Sequence, residues 1–492
     1  MQVADFGFNL EHTFTQTLPD LAVPTQAASV PQPHVQLFNH ELAAQLGLKA
    51  AAFQSEQGAT VLTGNVETLG LHTQAQAYTG YQFGQLAPLL GDGRALLLGE
   101  QIAPDQQRVD IHYKGSGPTP FSRRGDGKAA YAPMLREYLI SEAMQALGIP
   151  TTRALAVTTT GERVQRSGPK QAAVLTRTAA SHIRVGTFQY AAMHADTATL
   201  KTLADYTIKR HYPALINAEE PYLALLQSML ERQANLVAQW MGVGFVHGVM
   251  NTDNMTLSGE SIDYGPCAFI DAYHPNKVFS SIDHGGRYAF GNQAPVAQWN
   301  LARFAETLLP LLGDDTDAAV EQATKVINRF NRVYQQAWLS VMRPKLGLHN
   351  AASEDEQLIN DWLQLLQAQA VDYTLAFRHL AAANLGDTEP LLALFPQTDA
   401  AQAWLERWQT RLNTETLTAS ERSTAMNTVN PLYIPRNHRV EEALAAAEDG
   451  DLKPFEYLLS LLQQPFTEQA HASAYTQPAP AAREPYVTYC GT

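Results

Sequence analysis

Asn254 and Asp263 are an amide and a carboxylate, hard oxygen donors of the kind that Mg²⁺ or Mn²⁺ prefers, and both follow the run His247-Gly248-Val249. Phosphate oxygens and water would complete such a metal shell. Asp253, beside Asn254, can take a proton from an attacking hydroxyl or, on the plainer reading, only cap the loop. Upstream, Lys114 and Glu137 offer an ammonium and a carboxylate suited to an ion pair that steadies a nucleotide phosphate. Singly, they read as a solvated strand-end lysine and a glutamate offsetting a helix dipole. Two glycine-rich stretches flank Lys114. LLGDGRALLLGE holds Gly91, Gly93 and Arg94 and reads as a hairpin turn or as a phosphate loop. KGSGPTPFSRRGDGKAA sets Asp126 and Gly127 among Arg123, Arg124 and Lys128, which suits either a polyphosphate or a flexible surface loop. Arg177 and Arg184 would complement phosphate charge if they face the same cleft.

The order of these groups is that of protein kinases, whose catalytic loop H-R-D-x-x-x-x-N precedes D-F-G. His247 to Asn254 has the loop's spacing and Asp263-Tyr264-Gly265 stands for the second motif, but Val249 occupies the position of the base. Valine cannot accept a proton. Metal and nucleotide binding are thus expected where ordinary phosphotransfer should be impaired, unless Asp253 serves. The residues leave three functions open: transfer of some part of the nucleotide, conventional phosphotransfer, and a scaffold that binds ATP without chemistry.

The elements that would position these residues follow from periodicity. ALLLGEQI, and then Val109, Ile111 and Tyr113 alternating with Asp110 and His112, predict strands that bury one face, the second ending at Lys114. Pro133 opens a helix closed by Gly148 and Pro150, with Leu135, Leu139, Ala143 and Leu147 as its inner stripe and Glu137 and Ser141 off it. RALAVTTTGERV and QAAVLTR predict two strands joined by a Gly-Glu turn. From Pro221 helices dominate: one running to Trp240, another marked from Val320 to Tyr334, and further ones over 357–382 and 440–463. The fold class is α+β, a two-lobed protein-kinase-like fold. Residues 1–75 form a wrapping extension, 76–190 a small β-rich lobe, 191–465 a larger helical lobe with the catalytic and metal loops, and 466–492 a tail.

The 492-residue chain is about three times a usual single domain, and its 45% hydrophobic content excludes disordered and collagen-like classes. A net charge of −14 argues against a nucleic-acid surface. Two cysteines, Cys267 and Cys490, cannot make a disulfide framework, so a reducing compartment, the cytoplasm, is expected. The N-terminus lacks a signal-peptide pattern, and no apolar run approaches the roughly 18 residues of a membrane span.

Together YQFGQLAPLLGDGRALLLGE, YKGSGPTPFSRRGDGKAA, MLREYLISEAM, SHIRVGTFQY, HGVMNTDNMTLSGESIDYGPCAFID, NPLYIPRNH and the C-terminal CGT closely resemble the selenoprotein O family over most of the chain. The resemblance implies a pseudokinase-like protein adenylyltransferase that binds ATP in a flipped orientation and moves AMP to Ser, Thr or Tyr hydroxyls of proteins, releasing pyrophosphate. It implies Asp253 as proton acceptor, Asn254 and Asp263 as ligands of Mg²⁺ or Mn²⁺, and Lys114 with Glu137 as phosphate support. Gly91, Gly93, Arg94, Asp126, Gly127, Arg177 and Arg184 would complete the nucleotide site. Many members carry selenocysteine near the C-terminus where this chain has Cys490; sulfur redox chemistry with Cys267, four residues beyond Asp263, is the corresponding expectation.

Overall fold

Strand Ala95–Ile102 runs antiparallel to strand Arg108–Lys114, in a register from Ala95 opposite Lys114 to Ile102 opposite Arg108. In this computed structural model, which describes residues 2–480 and 486–489, the pair is the centre of an antiparallel sheet. Its order is Ala22–Pro24, Gln74–Gln76, Ala95–Ile102, Arg108–Lys114, Pro169–Ala179, Arg153–Gln165 and His34–Phe38. Ile111 and Tyr113 pack into a core with Leu98, Leu155 and Val174. The alternation along Arg108–Lys114 does not expose the other face, however, because Asp110 and His112 are also buried. Each has an ionic partner there: Asp110 meets Arg210 at 2.6 Å and His112 meets Asp92 at 3.0 Å. Polar alternation therefore marks a buried polar layer, whose groups are tolerated because they are paired.

The expected Gly-Glu turn is a bulge. Strand Arg153–Gln165 continues through Gly161 (φ 78°) with a register shift between Thr159 and Arg163, and the chain reverses at Arg166–Gly168. Short strands within residues 2–75 pair into the sheet at both edges and, through Leu10–Glu11, onto Ala95–Ile102. These pieces carry no periodic signal because each contributes only two to five residues. They are tied down by side chains instead; Glu100 accepts from the backbone of Thr13 at 2.6 Å and of Phe14 at 2.9 Å.

Helix Tyr131–Ala146 begins two residues before Pro133, a position in the first turn where proline removes no helical hydrogen bond. Leu135, Leu139 and Ala143 are buried as their spacing requires, and so are Arg136, Glu137 and Ser141. From Met134 to Met144 the helix is buried all round because it lies between the sheet and helices Asn437–Glu448 and Lys453–Leu462. After it, helix Pro221–Val243 opens on proline and closes on Gly244 in the left-handed conformation (φ 75°). It packs against Gln293–Leu308 and Phe330–Lys345, and buries Leu226, Met229, Leu230, Leu236 and Trp240 in the surrounding core.

Three segments expected to be single helices are each broken. Val320–Tyr334 divides between Thr316–Ile327 and Phe330–Lys345, 357–382 between Asp355–Ala368 and Tyr373–Ala383, and 440–463 between Asn437–Glu448 and Lys453–Leu462. Ala370 and Gly450, with φ of 51° and 93°, turn the chain in the last two. Periodicity does not reveal the breaks because both halves of each pair bury side chains in one core.

Buried Arg436, from the NPLYIPRNH segment, joins the C-terminal helices to the body. It meets Asp271 at 2.5 Å and Asp372 at 2.6 Å. Replacing it with methionine leaves the buried Asp372 carboxylate and the partly buried Asp271 without this cation, so Arg436→Met is expected to destabilise the fold by about 3–5 kcal/mol. Arg436→Met combined with Asp372→Asn should recover part of that loss. Urea unfolding midpoints of the two variants against the parent check the ordering.

Candidate active site

Strand register makes the first contacts of the site. Lys114 lies opposite Leu175, and His112 opposite Arg177, on neighbouring strands, so Lys114, His112 and Arg177 share one side of the sheet. Helix Tyr131–Ala146 brings Glu137 to that side, where its carboxylate accepts from Lys114 at 2.5 Å and from Arg177 at 3.1 Å. The irregular segment after Val246 supplies Asp263, which adopts a left-handed backbone (φ 61°). Its Oδ1 meets Lys114 Nζ and Arg177 Nη1, both at 2.6 Å, and its Oδ2 meets Arg184 Nη1 at 2.8 Å. Burial alone would raise the Asp263 carboxyl, but Arg177, Lys114 and Arg184 hold it well below the usual carboxylate range.

Arg184 also donates to the backbone oxygen of Asp253 at 2.8 Å and lies over the Tyr78 ring at 4.6 Å. It thereby fastens the Asp253 loop to Asp263. Asp253 is buried, and its Oδ1 has no hydrogen-bond partner. Burial pushes its carboxyl up to about 6 against the pull of Arg184, with Asp263 adding to the rise. The Gly80–Gln82 strand covers this carboxylate so closely that a Cβ on Gly80 would stand 2.2 Å from Asp253 Oδ1. Tyr81 N donates to Thr252 Oγ1 at 2.8 Å, which holds the cover to the loop.

The glycines form the opposite wall. Gly91 has φ 66°, and a Cβ there would stand 2.4 Å from the Phe121 ring. Thr119 and Ser122 donate to the backbone oxygens of Asp92 and Gly93 at 2.6 and 2.5 Å, folding the second glycine-rich segment over the first. Gly127 has φ 65° and a Cβ there would stand 2.0 Å from Gly117 O. The Asp126 carboxylate is held bidentately by Arg166, both bonds being 2.9 Å.

These walls enclose a cleft of about 390 Å³. Gly91, Gly93, Arg94, Lys114, Asp126, Gly127, Arg177, Arg184, Asp253, Asn254 and Asp263 all line it, with Glu137 behind Lys114. Val249 lines it too, so the residue at the kinase base position does face the cleft. Asn254 commits its amide nitrogen to Val249 O at 2.9 Å, so of its side-chain atoms only the oxygen could ligate a metal. Among the described residues no group of three or more His, Cys, Asp or Glu could hold a metal ion unaided. Asn254 and Asp263 fit a magnesium-type ion that takes few protein ligands and completes its shell with phosphate and water.

Sequence reasoning did not single out Gly80, Gln82, Asp92, His112 or Arg166. Asp92, the acid between two glycines, carried a usable signal, whereas nothing local marks Arg166. Cys267 is buried outside the cleft lining, and burial pushes its thiol up to about 12. Cys490 lies outside the described residues.

A family model described as protein adenylyltransferase SelO matches residues 6–463. The chain is 56% identical over 478 residues to the protein nucleotidyltransferase YdiU of Chromobacterium violaceum, covering 96% of this chain and 100% of that protein. Proteins of the same name from Rhizobium johnstonii and Shouchella clausii are both 52% identical, over 489 and 486 residues. They cover 99% of this chain, and 98% and 99% of their own lengths. Similarity that begins before the first sheet strand and continues through the last long helix includes every wall of the cleft. The chain belongs to the SelO protein adenylyltransferase family.

Proposed function

We propose that this protein nucleotidyltransferase, whose family uses ATP, binds it in a flipped orientation in a two-lobed, protein-kinase-like cleft and transfers AMP to Ser, Thr or Tyr hydroxyls of proteins. The observation that carries the reading is the convergence of Lys114, Arg177 and Arg184 on the single carboxylate of Asp263, in a cleft that also holds Asp253. Arg94, Arg123 and Lys128 add further cations to the lining around Lys114, Arg177 and Arg184, which suits a polyphosphate. Gly91, Gly93, Arg94, Asp126 and Gly127 complete the nucleotide's walls.

In the flipped pose the α-phosphorus faces the acceptor hydroxyl. The acceptor oxygen forms a bond to that phosphorus, the bond to the β-phosphate's bridging oxygen breaks, and pyrophosphate leaves. Asp253 takes the hydroxyl proton; its raised carboxyl is a stronger base than an ordinary aspartate. Lys114, Arg177 and Arg184 stabilise charge accumulating on the leaving pyrophosphate. Asn254 and Asp263 would hold Mg²⁺ or Mn²⁺, which when bound neutralises phosphate charge. No described helix is long and apolar enough to cross a membrane; the few cysteines support a cytoplasmic setting.

A redox role for Cys267 and Cys490 belongs to the same reading. Thr488, two residues before Cys490, donates to the backbone oxygen of Pro266, the neighbour of Cys267, at 2.8 Å. Joining the two thiols would pass two electrons and two protons to an external oxidant. Non-reducing peptide mapping that finds only free thiols after oxidation removes this role.

The direct test uses ATP labelled at the α or the γ phosphate, with intact-protein mass spectrometry. The expected result is α label with adenosine on protein, abolished by Asp263→Ala or by EDTA and restored to the parent by Mg²⁺ or Mn²⁺. Transfer of γ label alone identifies a conventional kinase, and ATP binding without transfer favours a scaffold. Asp253→Asn should lower kcat about 10²–10⁴-fold while ATP still binds. Gly80→Ala, which crowds the Asp253 carboxylate, should also lower kcat more than ATP affinity; equal loss of both argues against Asp253 as the base.

A further inference from the structure

The strand Arg108–Lys114 places Asp110, His112 and Lys114 on one side of the sheet, with Arg177 directly across from His112. Lys114 and Arg177 enter the cleft, but His112 is fully buried behind them. We propose that His112 is a positioning residue that ties the Arg177 guanidinium to the Asp92 carboxylate of the glycine turn, holding Arg177 ready for the nucleotide's phosphates. The inference rests on the polyphosphate-binding role given to Arg177 above.

Arg177 Nε lies 3.2 Å from His112 Nδ1, and His112 Nε2 lies 3.0 Å from Asp92 Oδ2. Arginine keeps its protons, so Nε–H is the donor and the Nδ1 lone pair the acceptor. The proton of a neutral imidazole then sits on Nε2 and points to Asp92. Burial favours that neutral form, lowering the His112 pKa against the pull of Asp92. A doubly protonated ring would set two N–H groups against each other at Arg177.

Both ends of this relay are fixed. Asp92 Oδ2 also accepts from Gln76 N at 3.0 Å, while the backbone oxygen of Asp92 accepts from Thr119 at 2.6 Å. The face of the imidazole stacks on His182 at 4.1 Å with a 20° interplanar angle. His182 in turn meets Asp110 at 3.1 Å, and Asp110 meets Arg210 at 2.6 Å. At the other end, Arg177 Nη1 bonds to Glu137 and Asp263, so a partner at Nε fixes the guanidinium at a second point. His112 thus links the glycine wall of the cleft to one of its arginines without touching the cleft itself.

Isosteric amides separate the two bonds. In His112→Asn the amide oxygen can stand near the Nδ1 position and accept from Arg177, whereas in His112→Gln the amide nitrogen can reach the Nε2 position and donate only to Asp92. Equilibrium binding of ATP and of AMP, which lacks the β- and γ-phosphates, is measured for the full chain, both variants and Arg177→Met. A hydrogen bond to a charged group sets the expected scale: His112→Gln loses on the order of tenfold in ATP affinity with AMP affinity unchanged, as Arg177→Met does, and His112→Asn loses less. ATP and AMP affinities falling together mean that His112 merely supports the fold, and overturn the proposal. If Arg177→Met loses ATP selectively while His112→Gln does not, only the relay fails. If Arg177→Met keeps full ATP affinity, the phosphate role of Arg177 and the relay both fail.

Discussion

The Asp263 carboxylate is the charge around which the cleft is organised. Lys114 and Arg177, from neighbouring strands, and Arg184, from the start of a helix, all end on it. Burying three cations without counterions would be prohibitive, and pairing recovers that cost only when the geometry is good and the remaining donors are satisfied. Glu137 supplies the second counterion and is held in place by the part of its helix that is buried all round. Sheet, helix and the segment carrying Asp263 are therefore interdependent, because moving any one strands a charge.

The same arrangement explains how a site with valine at the kinase base position can still favour chemistry on a nucleotide. The cations gather where a polyphosphate would lie, while Asp253 sits under the Gly80–Gln82 strand with one carboxylate oxygen unpartnered. On the function proposed above, separate walls would carry charge neutralisation and proton acceptance. Arg184 connects them, bonding to Asp263 through its side chain and to the backbone of Asp253.

Local sequence was informative where one element sufficed. The Val109–Tyr113 alternation marked a strand, Pro221 marked the start of a helix, and the spacing from His247 to Asp263 marked the loop that carries Asn254. It misled where a pattern was shared between elements. Periodicity passed through the Asn328–Arg329 break because the helices on both sides face one core, and Asp110 and His112 looked solvent-facing although each has a buried ionic partner distant in sequence.

The sequence by itself determined the chemical inventory and its order along the chain: which residues can bind phosphate, ligate a metal or accept a proton. Tertiary structure alone decided that Asp126 spends its carboxylate on Arg166, that Gly80 must lack a side chain to clear Asp253, and that His112 stands between Arg177 and Asp92. The physical reason is separation. Spacing encodes contacts within one helix or hairpin, whereas these depend on strand register and on the packing of segments tens to hundreds of residues apart, which no local pattern records.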